Sequence, residues 1–241
     1  MAQPDDRLQA RLAALRRAPR GAQIAAYFDF DGTLIDGFSA VAYLRHRIRH
    51  RKLELRELSE LLTYVLSHGG TDADFYEIVE GSARRCKGMP EQALTDLWQR
   101  LFTQELSRTL FPEAWELVHA HLKRGHTLVI ASSATRYQIL PFARELGVTH
   151  ILCSELEVRD GVITGELARA PLWAARKAAA TTHFAQQHGI DLRQSYAYSN
   201  GAEDIEFLET VGHPMALNPD AKLRRAATAR GWPQARFIAR K

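Results

Sequence analysis

Cysteine is scarce in this chain, long apolar runs are missing, and no segment repeats. Only two of its 241 residues are cysteines, Cys86 and Cys153, far apart and outside any metal-ligand spacing. They read as buried thiols, which argues against a disulfide framework and against a zinc site. The longest apolar stretches are strand-sized, so no transmembrane segment is expected. The amino terminus, Met1-Ala2-Gln3-Pro4-Asp5-Asp6, lacks the charged and then apolar order of a signal peptide, and the expectation is a cytoplasmic protein. Basic residues are not interleaved with aromatic ones, and nucleic-acid motifs are missing, which makes nucleic acid a poor partner.

What is present is an ordinary globular composition, 46% hydrophobic and 25% charged, with a net charge of +4. A chain of this length suits one α/β domain with an inserted subdomain better than two independent domains. The modest positive charge fits attraction of anionic substrates and equally a solvated surface.

The most informative stretch is Tyr27-Phe28-Asp29-Phe30-Asp31-Gly32-Thr33-Leu34. An apolar run from Ile24 to Phe28 has the composition of a buried strand, and Gly-Thr breaks it at once. Asp29 and Asp31 are therefore expected at the carboxyl end of a strand, the edge where open parallel sheets bind ligands. Two acids one residue apart can divide the work of nucleophile and proton carrier around one cation, a phosphoryl-transfer arrangement. The bland reading of the same residues is a loop that caps a helix.

Before this stretch, Leu8, Leu12 and Leu15 recur at helical spacing and Pro19 with Gly21 ends the run. From Gly37 to Leu110 the sequence offers no convincing strand. Apolar residues recur there at three and four: Val41, Leu44 and Ile48; Leu58, Leu61, Leu62, Val65 and Leu66; Leu94, Leu97, Trp98, Leu101 and Phe102. Gly69-Gly70-Thr71-Asp72 reads as an interhelical turn and Pro90-Glu91 as a helix start. The basic run Arg45, Arg47, Arg49, Arg51 and Lys52 is either a site for a phosphate-bearing substrate or acidic lipid surface, or a solvated helix face.

Strands and helices then alternate. A helix opens at Pro112, a strand is expected over 126–131 and a helix over 136–146. Strands follow over 151–158 and 162–167 about an Asp160-Gly161 hairpin turn, and Lys177 lies on a long helix closed by Gly189. A strand over 195–199 ends at Asn200-Gly201. A short helix over 205–211, a strand over 215–217, a helix over 220–230 and a last strand over 236–239 complete the pattern, which implies a parallel sheet with right-handed crossovers.

With Ser132 closing the second strand, Lys177 on a later helix and Ser199-Asn200-Gly201-Ala202-Glu203-Asp204 after the next strand, the order resembles the four motifs of the haloacid dehalogenase superfamily. Pro141-Phe142-Ala143-Arg144-Glu145-Leu146-Gly147, Asp160-Gly161-Val162-Ile163-Thr164-Gly165 and Asn218-Pro219-Asp220 are similar to phrases of its IB subfamily, the phosphoserine-phosphatase-like group. The likeness is strongest to the phosphatase half of bacterial proteins in which a glycerolipid acyltransferase follows, which implies a functional link to such an enzyme.

The resemblance implies a Rossmann-like parallel sheet with helices on both faces, a core of residues 1–36 and 111–241, and an all-helical cap of 37–110 after the first strand. It implies a magnesium-dependent phosphomonoesterase for a small or lipid-derived phosphate, with Asp29 as nucleophile and Asp31 as acid and base. Ser132, with Ser133 as the competing choice, and Lys177 would bind the phosphoryl group, and Thr33 would shape the loop. Arg169 and Arg176 could substitute for Lys177. Asp29, the Asp31 carbonyl, Asn200 and Asp204 would surround Mg2+. Asn200 departs from the family pattern, which has an aspartate there; an amide ligates a hard cation but adds no charge. A weakly catalytic phospho-ligand module and a phosphotransferase therefore stay open. In phosphoserine phosphatases an acid nine positions after the nucleophile faces the substrate's ammonium; here that position is Phe38, and with Ala40, Val41 and Tyr43 it suggests a less polar mouth.

Overall fold

The computed structural model describes residues 6–50 and 72–237. Its six-stranded sheet is parallel throughout. The strands are β1 (Ala25–Phe28), β2 (Thr127–Thr135), β3 (His150–Ser154), β6 (Tyr196–Ser199), β7 (His213–Leu217) and β8 (Gln234–Ala235), in the order β3-β2-β1-β6-β7-β8. The chain fills one side of β1 first, as far as β3, and crosses to the other side only with β6. This reversal opens a crevice beyond the carboxyl end of β1, between its two neighbours.

The alternation of side chains along each strand produces two cores. Ala26 and Phe28 of β1, Leu128 and Ile130 of β2, and Tyr196 and Tyr198 of β6 face one layer; Ala25, Tyr27, Val129, Ala131 and Ala197 face the other. Helices α1 (Asp6–Leu15), α5 (Pro112–Leu122) and α6 (Arg136–Leu146) cover the first layer through Leu8, Leu12, Leu15, Leu117, Val118 and Phe142. Helices α7 (Ala175–His188), α8 (Ile205–Glu209) and α9 (Ala221–Ala229) cover the second through Phe184, Phe207 and Leu223.

Between β1 and β2 lie α2 (Ser39–Arg49), α3 (Asp72–Arg85) and α4 (Glu91–Gln104), and no strand of the sheet comes from the described residues of this segment. The expected apolar positions at 58–66, the turn at 69–72 and Arg51 and Lys52 fall outside or at the edge of the described residues. Helix α4 starts after Pro90 and buries Leu94, Leu97, Trp98 and Leu101 as its spacing requires. On α2, by contrast, Val41 and Ile48 are exposed, and Ser39 and Ala42 are the buried residues. Arg45 is held by Glu105 at 2.6 Å on the surface.

Strand boundaries differ from expectation chiefly at three places, besides the start of β7 at His213. Strand β2 continues through Thr135 because Ser132 and Thr135 still pair with β3 across a bulge. The apolar stretch 151–158 is two strands: β3 joins the sheet, while β4 (Leu156–Arg159) turns away and pairs antiparallel with β5 (Val162–Leu167). The Asp160-Gly161 turn has positive φ at both positions, 50° and 75°, as a type I′ hairpin requires. This hairpin also bonds to the helical segment, through Gly88 N to Ile163 O and Glu91 N to Gly161 O. The last described strand is Gln234–Ala235; of the strand expected over 236–239, positions 238 and 239 lie outside the described residues, and Phe237 N donates to Asn218 Oδ1 at 2.7 Å. Cys86 and Cys153 are free and buried.

Beneath the sheet a buried polar chain has a single possible direction. The Pro19 carbonyl can only accept, so His126 Nε2 donates to it at 2.9 Å and the neutral ring accepts at Nδ1. His121 Nδ1 must then donate to His126 Nδ1, 2.9 Å away, and Tyr198 OH donates to His121 Nε2 at 2.8 Å. Burial, reinforced for His121 by the neighbouring His126, pushes the pKa of both histidines down. Because the folded values lie below the unfolded one, the stability these neutral rings supply is complete above the unfolded value of about 6.5. It is lost as pH falls from there toward the folded values, by about 1.4 kcal/mol per pH unit for each histidine. The raised carboxyl of Asp31 contributes the opposite sign over the same range, so the histidine slope is read from the difference between two proteins in denaturant unfolding between pH 7.5 and 5. His121→Gln, which keeps a donor and an acceptor but cannot be protonated, is expected to flatten it by the share of one histidine; an unchanged slope would place the acid-sensitive group elsewhere.

Candidate active site

The strand register sets the site. Phe28 lies opposite Ile130 on one side and Tyr198 on the other, so Asp29, Ser132 and Asn200 emerge at one edge. The Asp29 N–H continues the ladder by donating to the Tyr198 carbonyl at 2.9 Å.

Lys177, in the first turn of α7, is 3% exposed and reaches this edge from below. Its Nζ donates to Asp29 Oδ1 at 2.7 Å and to Asp204 Oδ2 at 2.6 Å, and Ser199 Oγ donates to the same Asp204 oxygen at 2.5 Å. Burial alone would lower the ammonium's pKa, but Asp204 and Asp29 outweigh it and hold the pKa above its ordinary value. Burial pushes the Asp29 carboxyl up against the opposing pull of Lys177. The cations weighed as substitutes are elsewhere: Arg169 pairs with Glu155 at 3.1 Å and Arg176 is exposed.

Asp31 is half-buried and faces the helical segment. Its Oδ1 accepts from Ser39 N at 2.8 Å and its Oδ2 from Ser39 Oγ at 3.2 Å, so it caps α2 where Phe38 has no side-chain donor or acceptor to do so. Burial pushes its carboxyl up to about 7, against the lowering effect of the Ser39 backbone bond. Ser39 in turn accepts from Gln138 Nε2 at 2.8 Å, and Gln138 Oε1 accepts from both Thr135 N and Thr135 Oγ1 at 2.8 Å. A continuous chain of bonds therefore runs from the start of α6 through α2 to Asp31. Gln138 is legible in sequence as the third helical residue of a Thr135-x-x-Gln138 capping box, whereas its bond to Ser39 crosses the fold and no spacing marks it.

Ser132 is buried; its Oγ accepts from Ala134 N at 3.2 Å, and no described bond uses its own proton. Ser133 is half-buried beside it. Thr33, fully buried, turns its hydroxyl to Asp29 Oδ2 at 3.2 Å and to Asn200 Oδ1 at 3.1 Å. The amide end of Asn200 that meets Thr33 is also 3.2 Å from the Asp31 carbonyl and 3.2 Å from Asp29 Oδ2. With its nitrogen there, the amide's two protons are shared among these three acceptors; with its oxygen there, four oxygens converge, the kind of donor a hard cation takes. Among the described residues no group of three or more His, Cys, Asp and Glu is placed to hold a metal, so any cation here depends on carbonyl and amide oxygens as well as carboxylates. The Asn218-Pro219-Asp220 loop braces the edge. Asn218 Nδ2 donates to Gly32 O at 3.0 Å, and Asp220 accepts from Ala202 N at 2.9 Å while capping α9 through Leu223 N.

A model of the haloacid dehalogenase-like hydrolases matches residues 26–209. The chain belongs to that family. It is 32% identical over 223 residues to a probable phosphatase of Mycobacterium tuberculosis, covering 91% of this chain and 77% of that one. A phosphoserine phosphatase of the same organism is 31% identical over 232 residues, covering 94% and 75%. Among solved structures, a protein of unknown function from Bordetella pertussis superposes with a TM-score of 0.76 at 26% identity, covering 89% of this chain and 99% of that one. In this hydrolase, the residues named from the motif order stand at one strand edge. Of the mouth residues, Phe38 is 63% exposed and Val41 exposed, whereas Tyr43 stacks on Trp98 with centroids 5.6 Å apart. No helix among the described residues is long and apolar enough to cross a membrane.

Removing the buried ammonium leaves two carboxylates facing each other without a cation. Lys177→Met is expected to lose about 3–5 kcal/mol of stability at pH 7.5. Since burial already pushes the Asp29 carboxyl up and the opposing pull of Lys177 would be gone, the deficit is expected to shrink as pH falls toward 4 and that carboxyl takes a proton. Chemical denaturation of both proteins across that range tests this; a deficit independent of pH would mean that packing against Phe207, not charge, is what Lys177 supplies.

Proposed function

We propose that the chain is a magnesium-dependent phosphomonoesterase for a small or lipid-derived organic phosphate, working through an aspartyl-phosphate on Asp29. The observation that carries this reading is the buried Lys177 on Asp29, with Asp31 two residues away and held near neutrality. The phosphatase names of the M. tuberculosis relatives support it. A carboxylate oxygen of Asp29 attacks phosphorus, the bond from phosphorus to the alcohol oxygen breaks, and Asp31 gives its proton to the departing oxygen. Asp31, now ionised, takes a proton from water as the water oxygen attacks phosphorus. The bond to Asp29 breaks and free phosphate leaves. A carboxyl that titrates at about 7 is populated in both forms at neutral pH, as these two roles require.

Ser132, Ser133 and the N–H groups that open α6 take the phosphoryl oxygens, and Lys177 neutralises charge shared with Asp29. Asp29, the Asp31 carbonyl and Asn200 would hold magnesium beside Asp204; when bound, it supplies positive charge to the phosphoryl oxygens. Residues 37–110 act as the cap over a core of 1–36 and 111–241. A lipid-derived substrate goes with the link to a glycerolipid acyltransferase.

Purified protein with magnesium is expected to release phosphate from members of a broad phosphomonoester panel, and Asp29→Asn to fall to the blank. Release that is absent throughout, or equal in Asp29→Asn, sinks the proposal. Within the panel, phosphoserine is expected to rank about ten- to a hundredfold below glycerol phosphate, lysophosphatidate or sugar phosphates. Phe38 offers its ammonium no charge-assisted partner. The highest kcat/KM for phosphoserine would show that another residue recognises the amino acid.

A further inference from the structure

The end of the parallel sheet opposite to Asp29 carries a cavity of about 970 Å³, at the amino ends of β7 and β8. That is the size of a small-molecule site. Helix α1 lines it with Arg7, Ala10, Arg11 and Ala14, three and four positions apart on one face, while Leu8, Leu12 and Leu15 turn into the core. Helix α9 adds Arg224 and Thr228, and the loop after it adds Trp232. Guanidiniums and apolar side chains therefore share the wall.

Most other hydrogen-bonding groups of the wall are already committed. Pro214 and Pro233 have no N–H, and their carbonyls accept from Arg11 Nη2 and Ala216 N, both at 3.0 Å. His213 N donates to Ser195 O at 3.0 Å, and Gln234 Nε2 to Thr228 Oγ1 at 3.0 Å. The donors in excess are guanidinium N–H groups, five on each arginine. None of the described lining residues is acidic, and neither Arg11 nor Arg224 forms an ion pair among the described residues. The charge is felt nearby: burial, and then the Arg11 guanidinium, push the pKa of His213 down. Three cations around one cavity repel, and an anion among them turns that repulsion into attraction.

Arg11 and Trp232 are fixed before any ligand arrives. Besides its bond to Pro214, the Arg11 guanidinium lies over two rings, 5.5 Å from the centroid of Tyr196 and 5.9 Å from that of Tyr198. Trp232 is half-buried under Arg230, whose guanidinium is 5.3 Å from the indole centroid and tied to Glu209 at 2.8 Å. Groups held in place lose little freedom on binding. We propose that this cavity is a second ligand site, for a nucleoside phosphate, with the phosphate among Arg7, Arg11 and Arg224 and the base against Trp232. The planar guanidinium fork matches phosphate oxygens, and the flat indole beside small apolar side chains matches a base. The site shares no residue with the Asp29 edge and does not depend on the phosphatase reading.

Titration of AMP into the full chain with EDTA present, read by calorimetry and by tryptophan fluorescence, tests it without turnover. AMP is expected to bind, to quench the fluorescence, and to bind more weakly as sodium chloride rises. Arg224→Gln is expected to weaken binding about tenfold or more, and Trp232→Leu about tenfold with loss of the quench. Arg11→Gln is expected to match Arg224→Gln; should it fail to fold, because Arg11 also packs on Tyr196 and Tyr198, the exposed Arg224 carries the test. Adenosine and ribose 5-phosphate, each lacking one half of the ligand, are expected to bind about tenfold or more weakly than AMP. Asp29→Asn, at the far end of the sheet, is expected to leave AMP affinity within about twofold. No binding of AMP at millimolar concentration, or an affinity unchanged in both Arg224→Gln and Trp232→Leu, overturns the site. So does a larger change in Asp29→Asn, which would seat AMP at the Asp29 edge. Ribose 5-phosphate bound as tightly as AMP overturns the nucleoside class.

Discussion

The site depends on one ion triad, Lys177 between Asp29 and Asp204. It joins three segments that are distant in sequence: the end of β1, the first turn of α7 and the turn after β6. None of the three groups is tolerable alone at that depth, since an isolated buried charge costs several kcal/mol and is offset only by close partners. The ammonium binds the two carboxylates at 2.6–2.7 Å, and Ser199 adds a donor to Asp204. Position and charge are thereby fixed together: β1 and β6 must pair in their observed register for Asp29 and Asp204 to reach one nitrogen.

The two-faced sheet explains why this edge is available. Both faces of β1 are buried, Ala25 and Tyr27 in one core and Ala26 and Phe28 in the other, so the strand can expose function only where it ends. Phe28 stacks on Tyr198 at 4.9 Å, and Tyr198 is tied through His121 and His126 to Pro19. A polar chain under the sheet therefore helps to hold the two strands that carry Asp29 and Asn200.

Much of this was legible because it is local. The Asp29-to-Thr33 stretch, the Asp160-Gly161 turn and the Gly147 and Gly189 helix ends each follow from neighbours within a few residues, and helical and strand periods placed most of the elements. Motif order then singled out Lys177, which spacing alone would have left as a surface lysine. What stayed hidden is long-range. Ser39 and Gln138 are 99 residues apart yet bonded, and nothing near either position announces it. The hairpin departs from the sheet at Ser154-Glu155 with no Gly or Pro to mark the break, so one strand was expected where two exist. Tyr43 looked like a mouth residue because it follows Phe38, but the helical turn between them carries it onto Trp98.

Asn200 shows how a single atom type can set the balance between two forms of the site. An aspartate there would bring a further carboxylate to about the distance that the amide now keeps, 3.2 Å, from both Asp29 Oδ2 and the Asp31 carbonyl. Without a cation that cluster of acceptors repels, and the fold must bear the cost. The amide has a second option: its nitrogen shares two protons among Thr33, Asp31 and Asp29, so the metal-free edge satisfies itself. Binding a cation then requires the amide to turn and give up those donors, and the electrostatic gain is smaller because the new ligand is neutral. The same substitution thus stabilises the empty site and weakens the filled one.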